Sequence, residues 1–322
     1  MNSGSVVSTS PSNTDAALAQ HAMRQTFGVR SDSMVGVERQ GAVNWTFRAA
    51  AQGRSYAVRV NRIRGSDEAF AEYTRERWCM DAARACGIPT PAVLAISRTG
   101  DRAWMIGEWI DGATAPDTPA TFHQLGEYAF QLAANSPPRQ LRLFPDPFGG
   151  WRGQVHYNLA QLTADDPLIG LQVYAPAHQA RLREAFEALR TGTFTTALEH
   201  GDLAPRNLIV RDNGEAVLID WGCAAFDVVP LQPVNQLRQR RFETGAPSES
   251  CLRAFVEGLR IDWAECVRLE PVLNRWFLLK AMDLVRWAID RCPERVAESS
   301  EMARRVTDAY FSERLALAIP DR

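Results

Sequence analysis

Hydrophobic and polar residues alternate with a period of two along several stretches of the first 110 residues, whereas helical spacing prevails beyond Gly112. Alternation of this kind is typical of strands with one buried face, and glycines mark the turns between them. The pattern predicts antiparallel strands over residues 33–39, 44–51, 55–61, 92–97 and 102–110. An N-terminal antiparallel sheet followed by a mainly helical part is therefore expected.

Apolar residues at helical spacing, bounded by capping and breaking residues, predict the helices. The first is expected to begin at a cap, Asn13 or Thr14, and to stop at Gly28, after a disordered tail over residues 1–13. Residues 137–157, rich in Pro, Gly and aromatic side chains, are expected to form either a packed irregular loop or part of the substrate wall. The remaining helices are predicted over residues 66–86, 118–135, 176–190, 234–242, 248–258, 262–290 (broken or kinked at Pro271) and 293–317.

The most informative stretch is a predicted hairpin, in which two short apolar runs flank Asn213-Gly214. An Asn-Gly pair in this setting is a strong signal for a two-residue turn. With these residues in the turn, Asn207 lies opposite Asp220, and opposed residues point to the same side of a hairpin. Asp202 precedes Asn207 by five residues, in the loop that leads into the first strand.

Two carboxylates and a carboxamide around one point offer the oxygen ligands that Mg²⁺ prefers. The structural alternative is that Asp and Asn simply favour turns and strand ends. The stretch also contains residues that restrict or free the backbone: Gly201 before the first acid, Pro205 within the loop and Gly222 after the second acid. These additional residues favour a functional site.

Composition mainly excludes classes of protein. The 322 residues, 46% hydrophobic and 23% charged, are typical of a globular protein large enough for two lobes. A net charge of −2 gives no basic face for nucleic acid. The six cysteines show no CxxC pair or zinc spacing, as expected of free thiols in a reducing compartment. Without a secretory signal or an apolar run of about 20 residues, a cytoplasmic protein with no membrane partner is expected.

The run His200-Gly-Asp-Leu-x-x-x-Asn207, followed by Ile219-Asp220-Trp221-Gly222, resembles the signature of the aminoglycoside phosphotransferase family of small-molecule kinases. The resemblance implies an α+β, protein-kinase-like bilobal fold, with an antiparallel sheet and one helix in the N-lobe and a mainly helical C-lobe. The N-lobe would span residues 14–110, and the C-lobe, with the catalytic loop, the hairpin and a helical substrate region, residues 111–322.

The spacing from Asp202 to Asn207 matches the kinase catalytic loop, and Asp220-Trp-Gly stands where kinases carry D-F-G. By this resemblance Asp202 would be the catalytic base that orients the acceptor hydroxyl. Asn207 and Asp220 would hold the Mg²⁺ ions that bridge the phosphates. His200 is expected to clamp the loop rather than to act as a ligand or base.

Arg59 stands where kinases carry the lysine of V-A-I-K, and the only lysine of the chain is the distant Lys280. Arginine is permanently charged and planar, so it can still clamp phosphate oxygens; a solvent-facing strand arginine is the alternative. Glu76, eleven residues before Gly87, occupies the place of the helix-C glutamate and would orient Arg59. Glu72, one helical turn earlier, is the competing candidate.

The resemblance also implies the remaining nucleotide contacts. Gly41 and Asn44 would belong to the loop over the phosphates, which carries a single glycine here. The carbonyl of Glu108 and the amide of Ile110 would bind a purine edge. These are main-chain contacts, so they do not separate ATP from GTP. One departure is that Asn235 stands near the place where many relatives carry a further acid.

The implied reaction is phosphorylation, by ATP or GTP, of a hydroxyl on a small molecule. An aminoglycoside or another antibiotic is the first expectation, with resistance as the role, and a metabolic amino alcohol or sugar is the alternative.

Acids in the helical part could bind a polycationic antibiotic, although they equally suit ordinary helix surfaces. A nucleotide-binding pseudokinase stays open because of Arg59 and the glycine-poor loop, although the intact Asp202, Asn207 and Asp220 argue against it. A protein kinase would need an Ala-Pro-Glu segment, and a glycosidase would leave Asn207 unexplained.

Overall fold

The computed structural model describes residues 11–37, 44–62, 65–144 and 150–315. Gly41 and residues 1–10 of the expected tail lie outside these described ranges. The chain divides into two compact units. The first combines residues 1–115 with 206–224, and the second combines residues 116–205 with 225–322. The hairpin predicted from Asn213-Gly214 thus belongs to the same unit as the N-terminal sheet.

The first half of the chain contains α1 (Asn13–Phe27), β1 (Ser33–Gly36), β2 (Asn44–Ala51), β3 (Arg54–Asn61), α2 (Ser66–Ala85), β4 (Val93–Thr99), β5 (Arg102–Glu108), β6 (Ala113–Thr114), α3 (Pro119–Ala134) and α4 (Trp151–Gln161). The second half contains α5 (Pro167–Gly170), α6 (Gln179–Arg190), β7 (Thr195–Glu199), β8 (Leu208–Val210), β9 (Ala216–Leu218), β10 (Ala225–Val229), α7 (Leu231–Thr244), α8 (Glu249–Gly258), α9 (Trp263–Arg268), α10 (Glu270–Arg291) and α11 (Val296–Phe311).

The first unit is built on a five-stranded antiparallel sheet in the order β1-β2-β3-β5-β4. Because side chains alternate along a strand, β3 buries Tyr56, Val58 and Val60 in one core with Ala22 and Met23 of α1, and turns Arg59 to the other face. The expected start of α1 is wrong by one or two residues. Its cap is Ser12, which accepts a hydrogen bond from the N–H of Asp15 in a capping box.

A three-stranded sheet, in the order β6-β8-β9, completes the first unit. The N–H of Leu218 in β9 donates to the C=O of Pro89 at 2.9 Å, which joins the hairpin to the segment that follows α2. This bond is one of several contacts, among them the Arg211–Glu108 ion pair, that join residues 206–224 to the N-terminal part of the chain.

The second unit is mainly helical, and α3 and α8 approach closely at two glycines. A Cβ atom built on Gly126 would lie 2.2 Å from the C=O oxygen of Phe255, and one on Gly258 would lie 2.1 Å from that of His123. Only residues without a side chain allow this backbone contact. The strands β7 and β10 pair beside these helices, with Glu199 opposite Ala225.

One prediction for the second unit is wrong in part and another is confirmed. Residues 151–161 form the helix α4, although residues 137–157 were expected to be irregular; α4 buries Trp151, Val155 and Leu159 at helical spacing. The break expected near Pro271 is confirmed, because residues 262–290 are divided into α9 and α10, which meet at Leu269. Pro271 stands in the first turn of α10, where its missing N–H breaks no helical bond, so it starts a helix. Across the described ranges, no helix is long and apolar enough to cross a membrane.

Candidate active site

The register of the hairpin differs by one residue from the predicted register. Leu208 lies opposite Leu218, and the N–H of Arg211 donates to the C=O of Glu215 at 2.9 Å. The turn therefore contains three residues, 212–214, and its glycine has the left-handed φ of 83°. Three-residue hairpins also need a left-handed residue. The Asn-Gly pair therefore predicts the hairpin correctly but does not determine its register.

As a consequence Asn207 lies opposite Ile219 rather than Asp220. The N–H of Ile219 donates to the C=O of Asn207 at 2.8 Å. Asp220 follows with φ 64° and ψ 61°, in the left-handed region that residues with a Cβ seldom adopt. Asn207 and Asp220 thus share the open end of the hairpin, but a bend in the chain, and not a cross-strand pair, places the carboxylate. Such local strain is common at functional sites.

The side chains of Asn207 and Asp220 have the donor atoms for a magnesium ion. Asn207 is 5% exposed, whereas Asp220 is exposed and its carboxylate accepts no hydrogen bond from the described residues. No cluster of three His, Cys, Asp or Glu residues suited to a metal exists in the described ranges. Mg²⁺ commonly takes one or two protein ligands and completes its shell with water and phosphates. The pair therefore fits a magnesium–nucleotide complex better than a closed metal cage.

Arg59 of β3 forms an ion pair with Glu76 of α2. Their side chains are 17% and 5% exposed, so water screens the pair little. Glu72, the competing candidate, instead lies 3.7 Å from Arg75 of the same helix. The structure thus decides between the two glutamates, and it shows that Arg59 does not point into solvent.

The charge state of Arg59 follows from these neighbours. Burial by itself disfavours the guanidinium ion, but Glu76, together with Tyr73 and Asp220, outweighs this effect and raises the pKa of Arg59. Asp220 contributes in the same direction, so its carboxylate lies within electrostatic range of Arg59. The first unit therefore gathers a permanent cation, the acid that orients it and an exposed acid suited to a metal.

Tyr73 of α2 is a residue of this site that the sequence analysis missed. Its hydroxyl donates to the Oδ1 atom of Asn44 at 2.7 Å, and the guanidinium carbon of Arg59 lies 5.7 Å from the centre of its ring. The available signal was its position, three residues before Glu76 on the same face of the helix. An aromatic residue at helical spacing is otherwise indistinguishable from an ordinary core residue.

The segment expected to bind a purine follows β5. The N–H of Glu108 donates to the C=O of Ala92 at 2.8 Å, whereas the N–H of Ile110 has no partner among the residues that the structure describes. The Glu108 carboxylate lies 2.6 Å from a guanidinium nitrogen of Arg211 in the hairpin. An open main-chain donor at position 110 agrees with the expected purine contact. The pairing with Arg211 was not anticipated.

Asp202 lies in the second unit, in the loop after β7. His200 is fully buried, and its Nδ1 atom accepts a hydrogen bond from the N–H of Asp202 at 3.3 Å. Gly201 has the left-handed φ of 80°, and its C=O accepts a bond of 2.8 Å from the side chain of Gln236 in α7. These contacts hold the loop from both sides, which is the clamping role expected for His200.

A buried charge cluster adjoins this loop. Lys280 of α10 donates to Asp227 of β10 at 3.0 Å and to Gln154 of α4 at 3.1 Å. Glu199, the last residue of β7, is 6% exposed, and its Oε2 atom has no hydrogen-bond partner among the described residues. Burial, reinforced by Asp227 and opposed by Lys280, raises the pKa of Glu199 well above its ordinary value. The positive charge of Lys280, the only lysine of the chain, therefore offsets the negative charge of Asp227 next to Glu199.

Asn235 in α7 replaces the further acid of many relatives with a neutral anchor. Its side chain donates to the C=O of Leu273 in α10 at 3.2 Å and accepts a bond of 3.1 Å from Arg238. Helices α7 and α10 are therefore tied together without a carboxylate at this position.

Comparison with known proteins identifies the family. The APH family, described as the phosphotransferase enzyme family, matches residues 39–229, more than half of the chain. The chain belongs to this family. The range that matches the APH family contains both the loop around Asp202 and the hairpin. A search of curated proteins finds no significant match.

Solved structures of similar fold include several small-molecule kinases. A thermostable mutant of the aminoglycoside phosphotransferase APH(4)-Ia has a TM-score of 0.61 at 16% identity, covering 90% of this chain and 98% of that one. Spectinomycin phosphotransferase APH(9)-Ia, in complex with ADP and spectinomycin, has a TM-score of 0.58 at 12% identity, covering 93% and 98%. A microcompartment-associated aminopropanol kinase has a TM-score of 0.60 at 19% identity, covering 94% and 100%. These likenesses show the shared kinase-like α+β fold.

Proposed function

We propose that this APH-family enzyme transfers the terminal phosphoryl group of ATP or GTP to a hydroxyl group of a small molecule. The observation that carries the proposal is the buried Arg59–Glu76 ion pair, with Asp220 in electrostatic range of Arg59. An ion pair of this kind holds a cation ready for phosphate oxygens. Arg59 gives the pseudokinase alternative less support than its type suggested, because it forms with Glu76 the ion pair that the kinase lysine forms.

In the proposed reaction the protein orients the two substrates and balances charge. The carbonyl of Glu108 and the amide of Ile110 bind the purine edge, and Arg59 binds phosphate oxygens. Asp202 accepts the proton of the acceptor hydroxyl as its oxygen attacks the terminal phosphorus, and the bond from that phosphorus to the departing nucleoside diphosphate breaks. Asn207 and Asp220 would hold Mg²⁺, which would offset negative charge on the phosphates.

An aminoglycoside or related antibiotic is the first substrate class to test. One similar structure, a thermostable mutant of APH(4)-Ia, is a ternary complex with AMP-PNP and hygromycin B, and APH(9)-Ia holds spectinomycin. A second class is an amino alcohol, because the aminopropanol kinase has the same fold over 94% of this chain. Both classes combine a hydroxyl with a cationic amine. Acids of the helical second unit, such as Asp283, suit such an amine.

The proposal is tested by a phosphate-transfer screen with γ-labelled ATP and GTP against aminoglycosides, other antibiotics, amino alcohols and sugars, with and without Mg²⁺. Magnesium-dependent transfer to one class is expected. Nucleotide binding without transfer to any acceptor would instead support a pseudokinase.

The role of Asp202 has its own test. Asp202→Ala is expected to reduce kcat by at least about 100-fold, the usual contribution of a general base, while leaving the Kd for nucleotide nearly unchanged. Asp165→Ala, which removes an exposed aspartate of the same unit, is the matched control and should behave like the unaltered enzyme. Wild-type kcat in the Asp202 variant would contradict the assignment.

A further inference from the structure

Tyr73 lies beside Arg59, the cation proposed to bind phosphate oxygens, yet it is nearly inaccessible to ligand. Its side chain is 2% exposed, and it stands on α2 one turn before Glu76. Any effect on nucleotide must therefore pass through residues that it contacts, among them Asn44 and Arg59.

The hydroxyl of Tyr73 restrains the start of β2. A buried tyrosine hydroxyl needs a hydrogen-bond partner, and the bond of 2.7 Å to the carboxamide of Asn44 provides one. Burial raises the pKa of Tyr73, so its hydroxyl remains a donor throughout the physiological pH range. Asn44 is the first residue of β2 and directly follows residues 38–43. The bond therefore fixes the point at which the chain leaves the expected phosphate loop.

The ring of Tyr73 restrains Arg59. The distance of 5.7 Å from guanidinium carbon to ring centre lies within the range of a cation–π contact. Glu76 binds one nitrogen of the same guanidinium group. The cation is therefore held by a carboxylate and an aromatic ring together.

This arrangement addresses a difference between arginine and lysine. A lysine ammonium is a point charge that one carboxylate can place, whereas a guanidinium group is planar and must also be oriented about its bond axis. One ion pair leaves that rotation free, and a second contact from a ring restricts it.

We propose that Tyr73 is a positioning residue for phosphate recognition, which orients Arg59 with its ring and Asn44 with its hydroxyl. The inference rests on the proposed function, which assigns Arg59 to the nucleotide phosphates, and on the expectation that Asn44 belongs to the loop over them. It adds a residue that compensates for arginine at the lysine position.

The test compares Kd values for ATP and adenosine, measured by calorimetry on the full chain. Tyr73→Phe keeps the ring but removes the hydroxyl and its bond to Asn44, and it is expected to raise the Kd for ATP about 2- to 10-fold, the range for a single neutral hydrogen bond. Tyr73→Leu also removes the ring and should raise it further. The Kd for adenosine, which has no phosphate, should stay unchanged in both variants.

A double-mutant cycle shows whether the ring acts through Arg59. Two double variants are compared, Arg59→Met/Tyr73→Phe and Arg59→Met/Tyr73→Leu. Their Kd values for ATP should be nearly equal, because the ring cannot act through Arg59 once Arg59 is absent. Tyr56→Phe is the control, because Tyr56 lies in β3 but packs against Phe27 of α1 at a ring distance of 4.7 Å.

The outcomes separate the two proposals. The positioning role alone would be overturned if the unaltered chain binds ATP but neither Tyr73 variant changes the ratio of the Kd values for ATP and adenosine. Equal weakening of ATP and adenosine would also overturn it, since that result indicates general damage to the fold. Failure of the unaltered chain to bind ATP or GTP would overturn the proposed function itself.

Discussion

Replacement of Lys280 by methionine tests the charge cluster beside the Asp202 loop. Methionine keeps most of the apolar stem that packs in α10 but removes the ammonium ion, which donates to Asp227 at 3.0 Å and to Gln154 at 3.1 Å. The substitution leaves the Asp227 carboxylate without its cation and close to the buried Glu199. The cluster is thereby changed from a balanced set of charges to an excess of negative charge.

The magnitude follows from the burial of the pair. The side chains of Lys280 and Asp227 are 21% and 18% exposed. Removing one partner of a fully buried pair costs about 3–5 kcal/mol, and a surface pair contributes about 0–1 kcal/mol. This pair lies nearer the buried limit, so a loss of about 2–3 kcal/mol in the free energy of unfolding is expected. The double variant Lys280→Met/Asp227→Asn should recover part of that loss, because it removes the uncompensated charge as well.

The assay is urea unfolding of the unaltered chain, the two single variants and the double variant at one pH, followed by circular dichroism. Far-ultraviolet spectra first establish that each variant is folded. The coupling energy from this cycle isolates the Lys280–Asp227 interaction from effects that either substitution has alone.

Two results would refute the reasoning. A loss below about 0.5 kcal/mol in Lys280→Met would show that the pair behaves like a surface ion pair. A double variant less stable than Lys280→Met would show that the uncompensated charge of Asp227 is not the cause of the loss.

Two further predictions concern the second unit. Burial raises the pKa of Glu199 above its ordinary value of 4.5, so folding favours the protonated form, and this contribution to stability disappears as the pH rises through the raised pKa. Glu199→Gln does not titrate and should gain stability relative to the unaltered chain above about pH 5 in urea unfolding; a pH-independent difference would contradict this. Gly126→Ala, whose Cβ would lie 2.2 Å from the Phe255 carbonyl oxygen, should cost about 1–3 kcal/mol or more and lower Tm. Gly170→Ala, with open space around its Cβ, is its control, and equal Tm values would show that α3 and α8 can separate freely.

Local patterns in the sequence were sufficient for much of the fold. The strands β2 and β3 follow from alternation, because a half-buried sheet accepts apolar residues only at every second position. The catalytic-loop signature around Asp202 follows from spacing within one short segment. The division of residues 262–290 near Pro271 also follows from the sequence, because proline is excluded from a helix interior but accepted in a first turn.

The tertiary structure decided which distant side chains meet. Asn213-Gly214 predicts a hairpin, but both two- and three-residue turns accept this pair, so the register of Asn207 depended on the packing of the strands. Glu72 and Glu76 are equivalent in sequence, and only the crossing of α2 over the sheet brings Glu76 to Arg59.

The sequence by itself therefore determined the kinase-like order of elements and the identity of the chemical groups. The tertiary structure determined their partners: Tyr73 beside Arg59, Arg211 with Glu108, and Lys280 with Asp227. The physical reason is the range of the interactions. Propensities and spacing act within a few residues, whereas ion pairs and ring contacts between distant segments exist only after the hydrophobic core has placed those segments side by side.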